Sequence, residues 1–149
     1  MGMLLGRTNM LKDRVLDKYL EPYGVTSSQF KVLIIIAQFC VDTPAELCRS
    51  LSLDSGSMTR MLDRLEQKGL LARSRSVEDR RQVRLLLTDE GTRLTDLLPT
   101  IAAKAMNEML GCLEVSEVVA LEQILTKVLR SAEDEVSIER LDRYARGDQ

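Results

Sequence analysis

Between Asp54 and Gly91 the spacing of apolar residues changes twice. Met58, Met61, Leu62, Leu65 and Gly69 recur at three- and four-residue intervals, which gathers them on one buried face of a helix and leaves Ser57, Thr59, Arg60, Asp63, Arg64 and Lys68 on the remaining surface. The carboxylate of Asp54 can accept hydrogen bonds from the free amides of a first turn, and Gly69 ends the pattern, so a helix is expected from about Ser55 to Lys68. Two short strands follow, from about Leu70 to Arg75 and from Val83 to Leu87. They flank a polar segment, Ser76 to Gln82, that holds Glu78, Asp79, Arg80 and Arg81. That is a two-stranded ribbon with a long charged tip. Thr88, with Glu90 nearby, opens the next helix.

Upstream, Leu4, Leu5, Leu11, Val15, Tyr19 and Leu20 alternate with Arg7, Lys12, Asp13, Arg14, Asp17 and Lys18 at helical spacing, until Pro22 and Gly24 stop the run. The pattern by itself reads as an amphipathic core helix. Thr26 and Gln29 form a capping box for a helix to about Phe39, in which Val32, Ile34, Ile35 and Ile36 are expected to meet apolar neighbours on several sides. Thr43, Pro44 and Glu46 start a short helix that ends near Leu51, and Leu51, Ser52 and Leu53 turn the chain into Asp54.

Downstream, Leu94, Leu97, Leu98, Ile101, Ala105, Met109 and Leu110 mark a stripe along a helix from Thr88 to about Leu110, with a kink expected at Pro99. Gly111 closes it. Ser116 is expected to cap a further helix striped by Val118, Leu121, Ile124, Leu125 and Val128, with a frayed extension beyond Ser131 that carries Ile138, Leu141 and Tyr144. Two long striped helices exceed what a small domain can cover, so a second copy related by a two-fold axis is expected.

A chain of 149 residues with 3% aromatics and no Trp is expected to form one domain around an aliphatic core. Its net charge is −2, but Ser57 to Arg84 carries Arg60, Arg64, Lys68, Arg73, Arg75, Arg80, Arg81 and Arg84 against Asp63, Glu66, Glu78 and Asp79, a local +4. Nucleic-acid binding must therefore come from a patch. Cys40, Cys48 and Cys112 form no C-x-x-C pair and read as reduced, buried thiols of a cytoplasmic protein. No signal peptide is visible, no apolar run approaches a membrane span, and Gly6 stands where an N-myristoylation motif needs Ser or Thr. With no His, no Gly-rich phosphate loop and no nucleophile beside a base, an enzyme is not expected, nor any cofactor or metal site.

A helix with Ser, Thr and Arg on its free face, followed at once by an Arg-tipped hairpin, has the parts of a winged helix-turn-helix. The helix fits a major groove and the tip reaches phosphates or a narrow minor groove. The run Ser57, Met58, Thr59, Arg60, then Leu65, Glu66, Gly69, Leu70, Leu71, then Asp79, Arg80, Arg81, then Thr88 and Gly91 resembles the signature of the MarR family of bacterial transcription regulators at its spacing throughout. Thr59 to Leu65 and Gln29 to Leu33 are similar to the multiple-antibiotic-resistance members in particular, and the resemblance extends from about Lys12 to Arg130.

The resemblance implies a mainly α fold with a small β-hairpin wing, and dimerisation helices at about 1–24 and 111–149. These would flank a winged helix-turn-helix at about 25–91 and a connecting helix at about 88–110. It implies a homodimeric, ligand-responsive repressor bound to a pseudo-palindromic double-stranded operator and released by small aromatic or phenolic effectors. Asp54, Ser55, Ser57, Thr59, Arg60, Arg64, Arg73, Arg75, Arg80 and Arg81 are the candidate DNA-binding residues, and Asp79 would fix the wing by pairing with a recognition-helix Arg, for which Arg64 is the candidate. Arg7, Lys12, Arg14, Lys31 and Met61 are the candidates for an effector crevice, with Met106 and Met109 as further adaptable lining. Two alternatives stay open: a protein-binding winged-helix adaptor without DNA contact, and a thiol-based redox sensor. Against the latter, the chain has no cysteine before Cys40 and carries Gln67 where close relatives have a metal-responsive cysteine.

Overall fold

Helix α1 (Gly2–Leu20) begins the computed structural model, and its two halves have different environments. Leu16 and Leu20 are buried and Val15 and Tyr19 pack against the core, whereas Met3, Leu4, Leu5, Met10 and Leu11 are exposed. The core reading of this helix therefore holds only for its C-terminal turns. A short 3-10 turn at Glu21–Tyr23 ends it, with Gly24 at φ +67, where a side chain would be strained.

The structure describes residues 1–39, 41–75 and 83–146, the backbone alone at Arg75, Arg140 and 144–146. These form two units, Met1–Met106 and Asn107–Gln149. In the first, α2 (Ser27–Phe39) starts on the expected capping box: Gln29 N donates to Thr26 Oγ1 at 3.3 Å and Thr26 N to Gln29 Oε1 at 3.2 Å. Asp17 of α1 adds a carboxylate that accepts from Ser27 N at 2.5 Å, so one helix helps to start the next. Helix α3 (Pro44–Leu51) is capped by Thr43, which accepts from Glu46 N at 3.3 Å. The reciprocal arm of that box differs from expectation, because Glu46 Oε2 takes the Thr43 hydroxyl at 2.6 Å.

Ser52, in the left-handed region at φ 52, turns the chain into α4 (Ser55–Gln67), whose Met58, Leu62 and Leu65 are buried. Strands β1 (Leu71–Arg75) and β2 (Val83–Leu87) pair antiparallel, from Leu71 opposite Leu87 to Arg75 opposite Val83. Helix α5 (Asp89–Leu110) runs through Pro99 without interruption. Its Leu94, Leu98, Ile101 and Ala105 are buried, but Leu97, expected on the same stripe, is 47% exposed. It lies one position off the alternating four- and three-residue ladder that links Leu94, Leu98, Ile101 and Ala105. The core of this unit is aliphatic as expected: Leu20, Val32, Leu33, Leu47, Met58, Leu62, Leu65, Leu71, Leu85 and Leu98 are its most deeply buried side chains.

In the second unit, α6 (Val115–Ser131) begins two residues earlier than expected. Glu114, not Ser116, stands at the N-cap, and Glu117 Oε2 accepts from Glu114 N at 2.9 Å. Leu113 N donates to Leu110 O at 2.9 Å, a tight turn after α5 that leaves Ser116 already inside the helix. No residue of α6 is buried; Val115, Val119, Leu121, Ile124, Leu125 and Val128 are all exposed. Beyond Ser131 the chain does not continue α6 as a frayed extension. Glu133 at φ 53 breaks the helix, Asp134 accepts from Ser137 N at 3.3 Å, and a separate α7 (Glu135–Arg146) follows. Arg130 Nη2 meets Asp142 Oδ1 at 2.5 Å and ties α7 back to α6.

Candidate nucleic-acid interface

The free face of α4 is organised from its first turn. Asp54 Oδ1 accepts from Ser57 N at 2.9 Å, as a capping carboxylate should. Hydrogen bonds from the Ser57 side chain and amide hold the Asp54 carboxyl below its ordinary value of 3.8, with help from the Gly56 amide and the Arg60 charge. Thr59 Oγ1 donates to Ser55 O at 2.8 Å, and Arg60 Nη2 donates to Ser57 Oγ at 3.1 Å. Ser55, Thr59, Arg60 and Arg64 are exposed, and Ser57 is half-buried. The helix therefore offers a polar, cationic face that nothing else among the described residues covers.

Three other cations of the +4 segment are paired with groups on neighbouring elements. Arg73 of β1 reaches Asp63 Oδ1 at 2.7 Å and Glu66 Oε2 at 3.0 Å, so it clamps the ribbon to α4 with two carboxylates. Arg84 of β2 meets Asp42 Oδ1 at 2.5 Å, beside a backbone bond from Leu85 N to Asp42 O at 2.7 Å. Lys68 Nζ donates to Gly24 O and, at 2.8 Å, to Gln29 Oε1, which fixes the far end of α4 to the start of α2. Arg73, a DNA-contact candidate, directs Nη1 and Nη2 at these carboxylates of α4. The roles of Lys68, Asp42 and Arg84 had no signal in local spacing. Of the remaining candidates, the Arg75 side chain and all of Asp79, Arg80 and Arg81 lie outside the described residues, and with them the expected pairing of Asp79 with Arg64.

The effector candidates are not gathered into one site. Lys12 and Lys31 both bridge Asp13 Oδ1, at 3.3 and 3.0 Å, and Lys12 also donates to Asn9 at 2.8 Å. Burial raises the Asp13 carboxyl, but the Lys31 hydrogen bond and the charges of Lys12 and Lys31 outweigh it and leave it below 3.8. Arg7 and Arg14 line a shallow depression of about 250 Å³ on α1 with Met10 and Leu11. Met61 instead lines a hollow of about 390 Å³ with Asp17, Gln29, Arg60 and Arg64. Met106 packs against the core. Cys48 is half-buried beside the core, but Cys112 is exposed in the turn after α5, which corrects the expectation of a buried thiol there. Cys40 lies outside the described residues.

Two carboxyls held below 3.8 give a pH expectation with a definite sign. Each contributes stability that is fully present above the unfolded value near 3.8 and is lost as pH falls through the folded value. The Asp13→Asn, Asp54→Asn variant should therefore melt below the wild type at neutral pH. The two melting curves should converge as the pH is taken under about 3.8; a constant gap across that range would mean that neither carboxyl is stabilised by its partners.

A helix pair α3 and α4 joined by a tight turn, backed by an antiparallel ribbon and exposing an Arg-bearing second helix, defines a winged helix-turn-helix DNA-binding regulator of transcription. The chain belongs to the MarR family: the MarR family model matches residues 25–83. The multiple antibiotic resistance protein MarR of Escherichia coli K12 is 39% identical over 130 residues, 87% of this chain and 90% of that protein. The HTH-type transcriptional regulator PecS of Dickeya dadantii is 36% identical over 60% of this chain and 56% of that protein. Among solved structures, the reduced form of E. coli MarR superposes with a TM-score of 0.81 at 39% identity, covering 87% of this chain and 96% of that one. A cysteine-to-serine variant of E. coli MarR complexed with operator DNA does so with a TM-score of 0.77 at 40% identity, covering 86% of this chain and 92% of that one. These relatives are transcriptional regulators, not enzymes. No described helix of this chain is long and apolar enough to cross a membrane.

Proposed function

We propose that the chain acts as a homodimeric repressor that lays one α4 helix from each subunit into successive major grooves of a pseudo-palindromic operator, with half-sites about 10–10.5 bp apart. The observation that carries this reading is the division of labour around α4: Lys68, Arg73 and Arg84 are paired with groups on neighbouring elements, while Arg60 and Arg64 stay exposed with guanidinium donors to spare. A braced helix with free donors suits groove reading, because a guanidinium can give two hydrogen bonds to guanine O6 and N7. The operator complex of the E. coli relative supports DNA as the partner.

The exposed apolar residues of α1 and α6 support a second copy as the other partner, since single scattered apolar side chains would need no cover but a continuous stripe does. An aromatic or phenolic acid suits the hollow lined by Met61, Arg60 and Arg64, where a carboxylate would find cations and a ring an adaptable thioether. Such an effector would release the operator only by binding the released arrangement more tightly than the bound one.

Fluorescence anisotropy with the region upstream of the chain's own gene, against random duplex at two salt concentrations, tests the reading. Specific binding should exceed random binding at both, with a steep salt dependence. Replacing Arg81 by Ala should weaken binding on every sequence and make the slope of log K against log salt shallower by about 0.9, the signature of one lost phosphate contact. An unchanged affinity would remove the wing from the interface.

A further inference from the structure

Arg60 stands on the first two turns of α4, and helical side chains lean toward the N-terminus, where the helix carries partial positive charge. A guanidinium there is unfavourably placed unless something compensates it. The compensation is a short chain of hydrogen bonds. The Ser57 amide donates to Asp54 Oδ1 at 2.9 Å, and Ser57 Oγ accepts from Arg60 Nη2 at 3.1 Å. Its amide serves the carboxylate and its hydroxyl lone pairs serve the guanidinium, so Ser57 holds both neighbours at once. Gly56 keeps the space open: a Cβ there would lie 3.2 Å from Asp54 Oδ1 and 3.7 Å from Arg60 Nη1, against both ends of the chain. The contact with Ser57 takes one of the five N–H donors of Arg60 and leaves the others for a ligand.

We propose that Ser57 is a positioning residue for guanine recognition: it links Asp54 to Arg60, fixes the Arg60 guanidinium before DNA arrives, and itself contacts no base. This rests on the DNA-binding reading above and assigns Ser57 a different part in it. Arginine loses much rotamer freedom when immobilised, and a side chain already held in place loses less on binding. The gain falls on the one base that Arg60 reads, and so on specificity, while the number of phosphates neutralised is unchanged.

The test uses a duplex selected by the wild-type protein from a randomised library, with each guanine replaced in turn by 7-deazaguanine, which lacks the N7 acceptor. For the wild type, replacement at one position per half-site should weaken binding about five- to a hundredfold, the range of one bidentate guanine contact. In Ser57→Ala the same replacement should cost much less, while the salt slope stays at its wild-type value; Ser57→Thr, which keeps the hydroxyl, should restore the sensitivity. Full N7 sensitivity in Ser57→Ala overturns the inference, as does an even loss of affinity at every guanine or a wild type insensitive at all of them. A wild type that selects no duplex at all overturns the DNA-binding reading itself.

Discussion

Replacing Gly91 by alanine is expected to lower stability by about 3 kcal/mol or more, at the upper end of what overpacking costs. A Cβ at this position would lie 2.0 Å from Leu70 O and 3.0 Å from Leu70 C, far inside contact distance and against backbone, which has no rotamer to escape into. Leu70 cannot easily retreat. Its amide donates to Leu65 O at 3.1 Å at the end of α4, and its carbonyl accepts from Thr88 N at 3.2 Å. Thr88 adds two further ties, with its hydroxyl donating to Gly69 O at 2.5 Å and accepting from Gly91 N at 3.0 Å. Gly69 itself holds φ +69, a conformation few other residues adopt cheaply. Relief therefore requires the start of α5 to move off the root of the ribbon, and the ribbon is clamped to α4 by Arg73. Thermal unfolding should show a drop of roughly 6–12 °C for a chain of this size. Operator affinity should fall as well, because the shift displaces the wing from α4. A melting temperature within about 2 °C of wild type would mean that this junction is looser than its geometry implies.

The parts of this site that could be read from sequence are the ones made locally. Asp54, Thr26 with Gln29, and Thr43 all cap helices by reaching amides three residues away, and that reach is fixed by the backbone whatever the fold. The apolar period of α4 was legible for the same reason. What spacing could not reveal are the braces that join distant positions: Arg73 to Asp63 and Glu66, Arg84 to Asp42, Lys68 to Gly24 and Gln29, Asp17 to Ser27. A cation that braces the helix and one that faces solvent look alike in sequence, which is why Arg73 stood among the DNA candidates beside Arg60. The start of α6 was misplaced because Ser116 is the better capping residue type, whereas the turn after Leu110 put Glu114 at the position. Local propensity lost to the length of a connection.

The other large effect expected concerns α6. Ile124 and Val128 are 61% and 59% exposed in the single chain, so aspartate at both should leave the subunit's own fold nearly untouched. If a second copy covers them, the outcome is different. Burying an aliphatic side chain of this size contributes about 1.5–3 kcal/mol, and a two-fold interface counts each substitution in both subunits. Introduced carboxylates would also face one another across the axis and remain desolvated without partners. Dimer dissociation should thus rise by several orders of magnitude while the melting temperature of the monomer changes little. The consequence for DNA follows from linkage of the two reading helices. A dimer engages its second half-site at an effective concentration that raises affinity about 10²–10⁴-fold over a single contact. Ile124→Asp, Val128→Asp should therefore lose that factor on a full operator but bind an isolated half-site as the wild type does. Light scattering coupled to size exclusion, and anisotropy with full and half operators, separate the two expectations. A variant that stays dimeric would move the interface away from this face of α6, and a wild type that is monomeric at operator-binding concentrations would leave the two-headed arrangement without a basis.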